Sequence, residues 1–169
     1  MFARAPLIIK IIAIMQFLFV TGYFIYYIYI GSQWGFTERI ILDLISDSVY
    51  LLLILSSVGL LLKKGWSWWL TIVIYSMYLI ANSITALVVA LNIVTGMIAE
   101  NLQLNLFIID IILLLLFLTV IIILSRRSVR ESFNVGYKGS KLLYLVVISS
   151  IILYMLYFII MLLSITWLL

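Results

Sequence analysis

Between Lys10 and Glu38 the chain carries no charged residue, and after Lys141 it carries none. Apolar runs of this length restrict the fold more than any motif. A bilayer core about 30 Å thick needs about 20 apolar residues per helix. Five stretches qualify, at 7–30, 39–62, 66–97, 106–124 and 142–169. Lipid offers no partner to backbone polar groups, so spans of this kind must be helical. Barrel strands would alternate apolar and polar residues, and these continuous runs do not. The expected fold is all-α: a polytopic membrane bundle of five transmembrane helices in a single domain, 1–169.

Composition supports this reading. Ten basic and six acidic residues make up 9% of the chain, against about 25% in soluble domains. So few charges cannot coat a soluble globule. A water-soluble enzyme, a disordered tail and a nucleic-acid-binding module are excluded. The chain contains neither cysteine nor histidine. That removes disulfides, thiol and imidazole catalysis, and the usual zinc sites. No cofactor or metal is expected.

The basic residues set the orientation. Arg4 and Lys10 open the first helix, Lys63 and Lys64 separate the second and third, and Arg126, Arg127, Arg130, Lys138 and Lys141 separate the fourth and fifth. Only Arg39 falls on the opposite side. The positive-inside rule puts the N-terminus inside and the C-terminus outside a cell membrane. The first run is too long for a cleaved signal and lacks a small-x-small site at its end, so it reads as a retained helix. Trp34, Trp66, Trp68, Trp69 and Trp167 fall at helix ends, as an interfacial aromatic belt requires. The fifth helix carries Ser149, Ser150 and Ser164 but no charge. It is expected at the bundle edge, facing lipid or a partner subunit.

Helices two and four share a layout. Asp47 precedes Lys63–Lys64 by sixteen residues, and Asp110 precedes Arg126–Arg127 by the same interval. This suggests two hairpins of like orientation with a fifth helix added. Ser56, Ser57 and Gly59 on helix two, with Ala81, Ser83 and Ala86 on helix three, are small enough for close helix contact.

Three stretches are familiar together: RAPLIIKIIAI, VGLLLKKGWSWWLTIVI and IIILSRRSVRESF. The chain resembles a widespread group of small prokaryotic integral membrane proteins of unknown function. These have four helices, a glycine-leucine-lysine-tryptophan junction before helix three, and an arginine-x-x-valine-basic-x-x-phenylalanine ending. The resemblance covers residues 4–133 and implies a four-helix membrane unit with no established reaction. The fifth helix lies outside that pattern.

Five of the six acids, Glu38, Asp43, Asp47, Glu100 and Asp110, gather on the outer side. Asp43, Asp47 and Tyr50 share a face of helix two. Asp110, Asn82 and Ser83 are expected to converge with them on an outward-facing polar pocket, with Gln16 and Tyr23 on its fourth side. One reading is an ion, proton or small-cation site, because ionisable groups within membrane helices are costly and tend to face an interior. The other is stabilisation of helix starts, where the dipole favours carboxylates. Asp47 lies too deep for a simple cap.

The basic loop 125–141 also has two readings. Arg126, Arg127, Arg130, Lys138 and Lys141 can attract anionic lipids or a cytoplasmic partner, or can simply fix topology. Val129, Phe133 and Tyr137 are expected to line a short interfacial helix. No serine motif or phosphate loop accompanies the acids, which points away from catalysis. Two functions remain. One is a non-catalytic accessory, immunity-type or regulatory partner in the bilayer. The other is a small transporter or ion-binding protein using the acidic pocket.

Overall fold

The computed structural model describes residues 5–95, 100–136 and 139–168. Among them every regular element is helical: α1 (Ala5–Trp34), α2 (Glu38–Ser46), α3 (Val49–Leu61), α4 (Gly65–Val94), α5 (Glu100–Ser125), α6 (Arg127–Ser132) and α7 (Gly139–Leu168). The protein is a membrane-type helical bundle. The helices α1, α4 and α7 are long and apolar enough to cross a bilayer, and α2 with α3 makes a fourth crossing if the bent pair is one span. In α5 the apolar stretch Ile111–Ser125 is shorter.

The first run extends further than expected, to Trp34. Its 30 residues reach about 45 Å at 1.5 Å per residue, so the helix overruns a bilayer core. Gly35 ends it with φ +82°, a conformation that costs glycine little. Phe36 then folds its ring back onto Gly31. The Thr37 hydroxyl accepts from the Ile40 amide and caps α2, and Glu38 sits in the first turn, where the helix dipole favours an acid.

Two helices pack on α1 and α4 by simple periodicities. On α1 the buried residues Ile9, Ala13, Gln16 and Val20 recur at alternating intervals of four and three. They form one stripe on a face turned to α3. On α3 the answering residues are Val49, Leu53, Ser56 and Leu60. Small side chains allow the next junction. A Cβ on Gly59 would lie 2.5 Å from the Cβ of Ser67, so α3 and α4 touch nearly backbone to backbone there.

The central helix is α4, which packs against α3, α5 and α7. Trp68 is fully buried, and its indole N–H donates to the Leu124 carbonyl of α5 at 2.9 Å. This corrects one member of the expected belt. Trp34 is 82% exposed and Trp66 about half exposed, but Trp68 is a core residue. Ser150 of α7 is also fully buried, and its hydroxyl proton is shared between the Val146 carbonyl of its own helix at 2.7 Å and the Val73 carbonyl of α4 at 3.0 Å. Most of the remaining surface of α7, including Leu143, Ile151, Ile152 and Met155, is exposed. That matches an edge position.

The end of the bundle that the basic residues are expected to place inside is closed by the basic segment. The short helix α6 packs against α1 and α5, and Val129, Phe133 and Val135 join Ile9, Leu60, Trp68 and Leu124 in one buried cluster. The apolar face of α6 therefore turns to protein, where an interfacial helix would have turned it to lipid. Tyr137 and Lys138 lie outside the described residues. Two Schellman turns shape this end. The first leaves Lys63 at φ 53°, with Lys64 N–H bonded to Gly59 O at 2.9 Å. The second leaves Asn134 at φ 57°, with Val135 N–H bonded to Arg130 O at 3.0 Å.

Candidate functional site

The second apolar run is not one helix. It breaks at Asp47–Ser48, and its halves α2 and α3 meet at 41°. The local sequence explains the break. Ser46, Asp47 and Ser48 are consecutive residues of types that favour helix ends over interiors. Asp47 closes α2 as its C-cap, and the next turn is held by the Tyr50 amide bonding to the Asp47 carbonyl at 2.9 Å. Asp47 therefore stands at the start of α3, within reach of that helix's positive end. The expectation of an acid deep in a continuous helix is corrected: the helix is interrupted where the acid sits.

Around Asp47 the structure assembles tyrosines from α1, α3 and α4, with two more from α7. The Tyr23 hydroxyl of α1 donates to the Asp47 carboxylate. The Tyr23 ring meets Tyr27 at 4.8 Å and Tyr50 edge-on at 5.6 Å between centroids. Tyr50 of α3 stacks on Tyr78 of α4 at 5.0 Å, with the rings only 15° apart. Tyr78 meets Phe117 of α5 at 5.8 Å, and Tyr154 and Tyr157 of α7 pack on the same cluster. Asp47 thus sits at one end of an aromatic array, which it joins through Tyr23.

Two turns further in, a second polar node ties the same three helices. The Gln16 amide donates to the Leu53 carbonyl and to the Ser56 hydroxyl, both at 2.7 Å. Tyr75 of α4 donates to the Gln16 amide oxygen at 3.4 Å. Buried amides need such partners, because an unmet polar group in a low-dielectric interior is costly. Sequence reasoning placed Gln16 beside the acids, but it serves a separate bridge. The signal was available: Gln16 lies on the buried stripe of α1.

The expected pocket residues divide. Asp47 and Tyr50 come together, and Tyr23 joins them. Asp43 is half-buried one turn before Asp47 on α2. Asn82 is half-buried one turn beyond Tyr78, and its amide donates to the Tyr78 carbonyl at 3.0 Å. Ser83 departs from expectation. It is exposed, and it donates to Leu79 O of its own helix at 2.6 Å. Asp110 falls on α5, but its side chain lies outside what is described. Among the described residues no three acids, histidines or cysteines converge as metal ligands.

On the inner face, Arg126, Arg127 and Lys141 are exposed, and Arg130 is half-buried. Arg127 pairs with Glu131 at 2.8 Å. Comparison with protein-family models, curated proteins and solved structures finds no match.

A carboxylate held by a phenol at a helix break can keep a negative charge, take up a proton or meet a cation. We expect Asp47→Asn and Tyr23→Phe each to lower stability in mild detergent by about 1.5–3 kcal/mol, the worth of a hydrogen bond to a charged group. Glu38→Gln, at an exposed position, should leave it unchanged. Thermal unfolding followed by circular dichroism reads all three. Equal midpoints for Asp47→Asn and Glu38→Gln would remove Asp47 from any special role.

Proposed function

We propose that this chain is a five-span protein of the cell membrane, N-terminus inside and C-terminus outside, acting as a non-catalytic accessory, immunity-type or regulatory partner. One observation carries the reading: three interior polar side chains reach from one helix to another, while Ser57 and Thr71 bond within their own. Gln16 joins α1 to α3 and α4, Trp68 joins α4 to α5, and Ser150 joins α4 to α7. The polar interior thus acts as internal glue, while α7 offers a broad apolar face along most of its length. The likeness of residues 4–133 to four-helix prokaryotic membrane proteins fits this reading and makes α7 the added element.

Purification in mild detergent followed by mass spectrometry tests it. A stoichiometric membrane protein partner is the expected result, and a chain that purifies alone counts against the reading. Orientation has its own test, helped by the absence of cysteine. Ser32→Cys and Thr166→Cys are expected to react with an impermeant maleimide from outside intact cells. Ser140→Cys should react only after lysis. Labelling of Ser140→Cys and Thr166→Cys from the same side would remove α7 as a span.

The break at Asp47 favours a second reading, a small transporter or ion-binding protein. Broken membrane helices commonly place helix ends at ion and substrate sites. A midpoint raised by Na⁺ or Mg²⁺, but not by a bulky organic cation, and lost in Asp47→Asn, would favour it over the first.

A further inference from the structure

The inner end of the bundle carries a cleft that none of the preceding readings uses. Ile9, Lys10, Leu60, Leu61, Lys63 and Ser132 line it, drawn from α1, from the end and following turn of α3, and from α6. Its floor is apolar and closed, because Ile9 and Leu60 are buried in the core. Its rim is cationic, with Lys10 and Lys63 both exposed. The rim is also built. Lys63 is held at φ 53° by a turn whose amides bond back to Leu60 and Gly59 at 3.1 and 2.9 Å. Ser132 spends its proton on the Val129 carbonyl at 2.6 Å and keeps its lone pairs. The nearby acid Glu131 is engaged by Arg127 at 2.8 Å.

Two ammonium groups over an apolar floor match a phosphate that carries acyl chains. Leu61 lies on the rim, and Leu62 and Ile11 continue an exposed apolar surface away from it. We propose that one anionic phospholipid docks over this shallow cleft, its phosphate on the surface between the Lys10 and Lys63 ammonium groups and an acyl chain along Leu61. Lysines at the headgroup level suit this role, since their stems lie on apolar surface while the ammonium reaches the interface. Among the described residues no arginine lines the cleft, and the exposed Arg126 and Arg127 at the start of α6 lie outside it.

The inference rests on the membrane reading but not on orientation. Lipid retention in detergent is the same whichever leaflet the cleft faces, so cysteine labelling and lipid binding can fail independently. The full chain, purified in mild detergent, is mixed with phosphatidylglycerol and phosphatidylcholine and examined by native mass spectrometry. One phosphatidylglycerol per chain is expected to be retained in preference to phosphatidylcholine. Lys10→Gln with Lys63→Asn should reduce the retained fraction about tenfold. Asparagine suits position 63 because it tolerates the left-handed backbone. Arg126→Gln with Lys141→Gln, both at exposed positions outside the cleft, should leave retention within about twofold of the parent. Lys10→Gln alone, at an exposed helical position that does not endanger folding, should still lose several-fold. Equal losses in the cleft pair and the control pair, no preference between the two lipids, or displacement by inorganic phosphate would each overturn the proposal.

Discussion

Trp68→Ala is expected to be the most damaging single substitution in the chain, lowering stability by about 3–5 kcal/mol. The residue is fully buried at the centre of the inner cluster, against Ile72, Leu124 and Phe133. Alanine leaves a cavity that rigid neighbours cannot fill. It also strips the Leu124 carbonyl of its donor. That carbonyl lies in the last turn of α5, where the helix supplies no partner of its own. Trp68→Phe separates the two effects, since it keeps most of the volume but not the indole N–H. It should cost about 1–3 kcal/mol. Trp34→Ala, at an 82% exposed position, should change stability by about 0.5 kcal/mol at most. Unfolding in mild detergent, followed by circular dichroism, ranks the three. A Trp68→Ala midpoint level with that of Trp34→Ala would mean that α4 and α5 do not meet there.

The second large effect is expected at Gly59. A Cβ there meets the Cβ of Ser67 at 2.5 Å and the Trp66 ring at 2.8 Å. The Trp66 ring can swing aside, but the Ser67 Cβ is fixed to the α4 backbone. Gly59→Val therefore has to push α3 and α4 apart at the point where their connecting turn is shortest. The turn resists, because the Gly59 carbonyl accepts the Lys64 amide at 2.9 Å. A loss of about 3 kcal/mol is expected, at the upper end of overpacking costs. Gly22→Ala is the control. Nothing lies within 4 Å of a Cβ at Gly22, so the substitution should stabilise α1 by about 0.5–1 kcal/mol through helix propensity. If both glycine variants behave alike, close approach of α3 and α4 is not what holds the inner end.

Much of this architecture was legible in the apolar runs, because bilayer thickness dictates helix length and lipid forbids unpaired backbone. Gly59 of helix two does meet α4 closely, but at Ser67 beside the turn and not at the expected Ala81, Ser83 and Ala86, of which Ser83 is exposed. Other features depended on tertiary placement. Trp68 lies within a WSWW cluster, and a belt explains such a cluster unless helix phase is followed: Trp68 falls on the inner face with Thr71 and Ile72, while Trp66 does not. The break at Asp47 contains neither proline nor glycine, and its signal was the weaker propensity of three adjacent polar residues. Val129 and Phe133 were read correctly as one face. Whether that face meets lipid or protein depends on α1 and α5, which no local pattern encodes. At the acids, Asp47 and Tyr50 were expected on one continuous helix, but the break falls between them, and Tyr23 reached Asp47 from a position 24 residues away.

The way α6 closes the inner end bears on the order of assembly during synthesis. The pairings of α1 with α3 and of α3 with α4 involve early parts of the chain and can form as soon as α4 is made. The inner cluster is different, because Val129, Phe133 and Val135 emerge only after α5. Until then Ile9, Leu60 and Trp68 lack their covering residues. The bundle therefore seals at its base late, once the segment following α5 has been translated and has folded back beneath α1. Only afterwards does α7 arrive, to dock through Ser150 on a surface that is already formed.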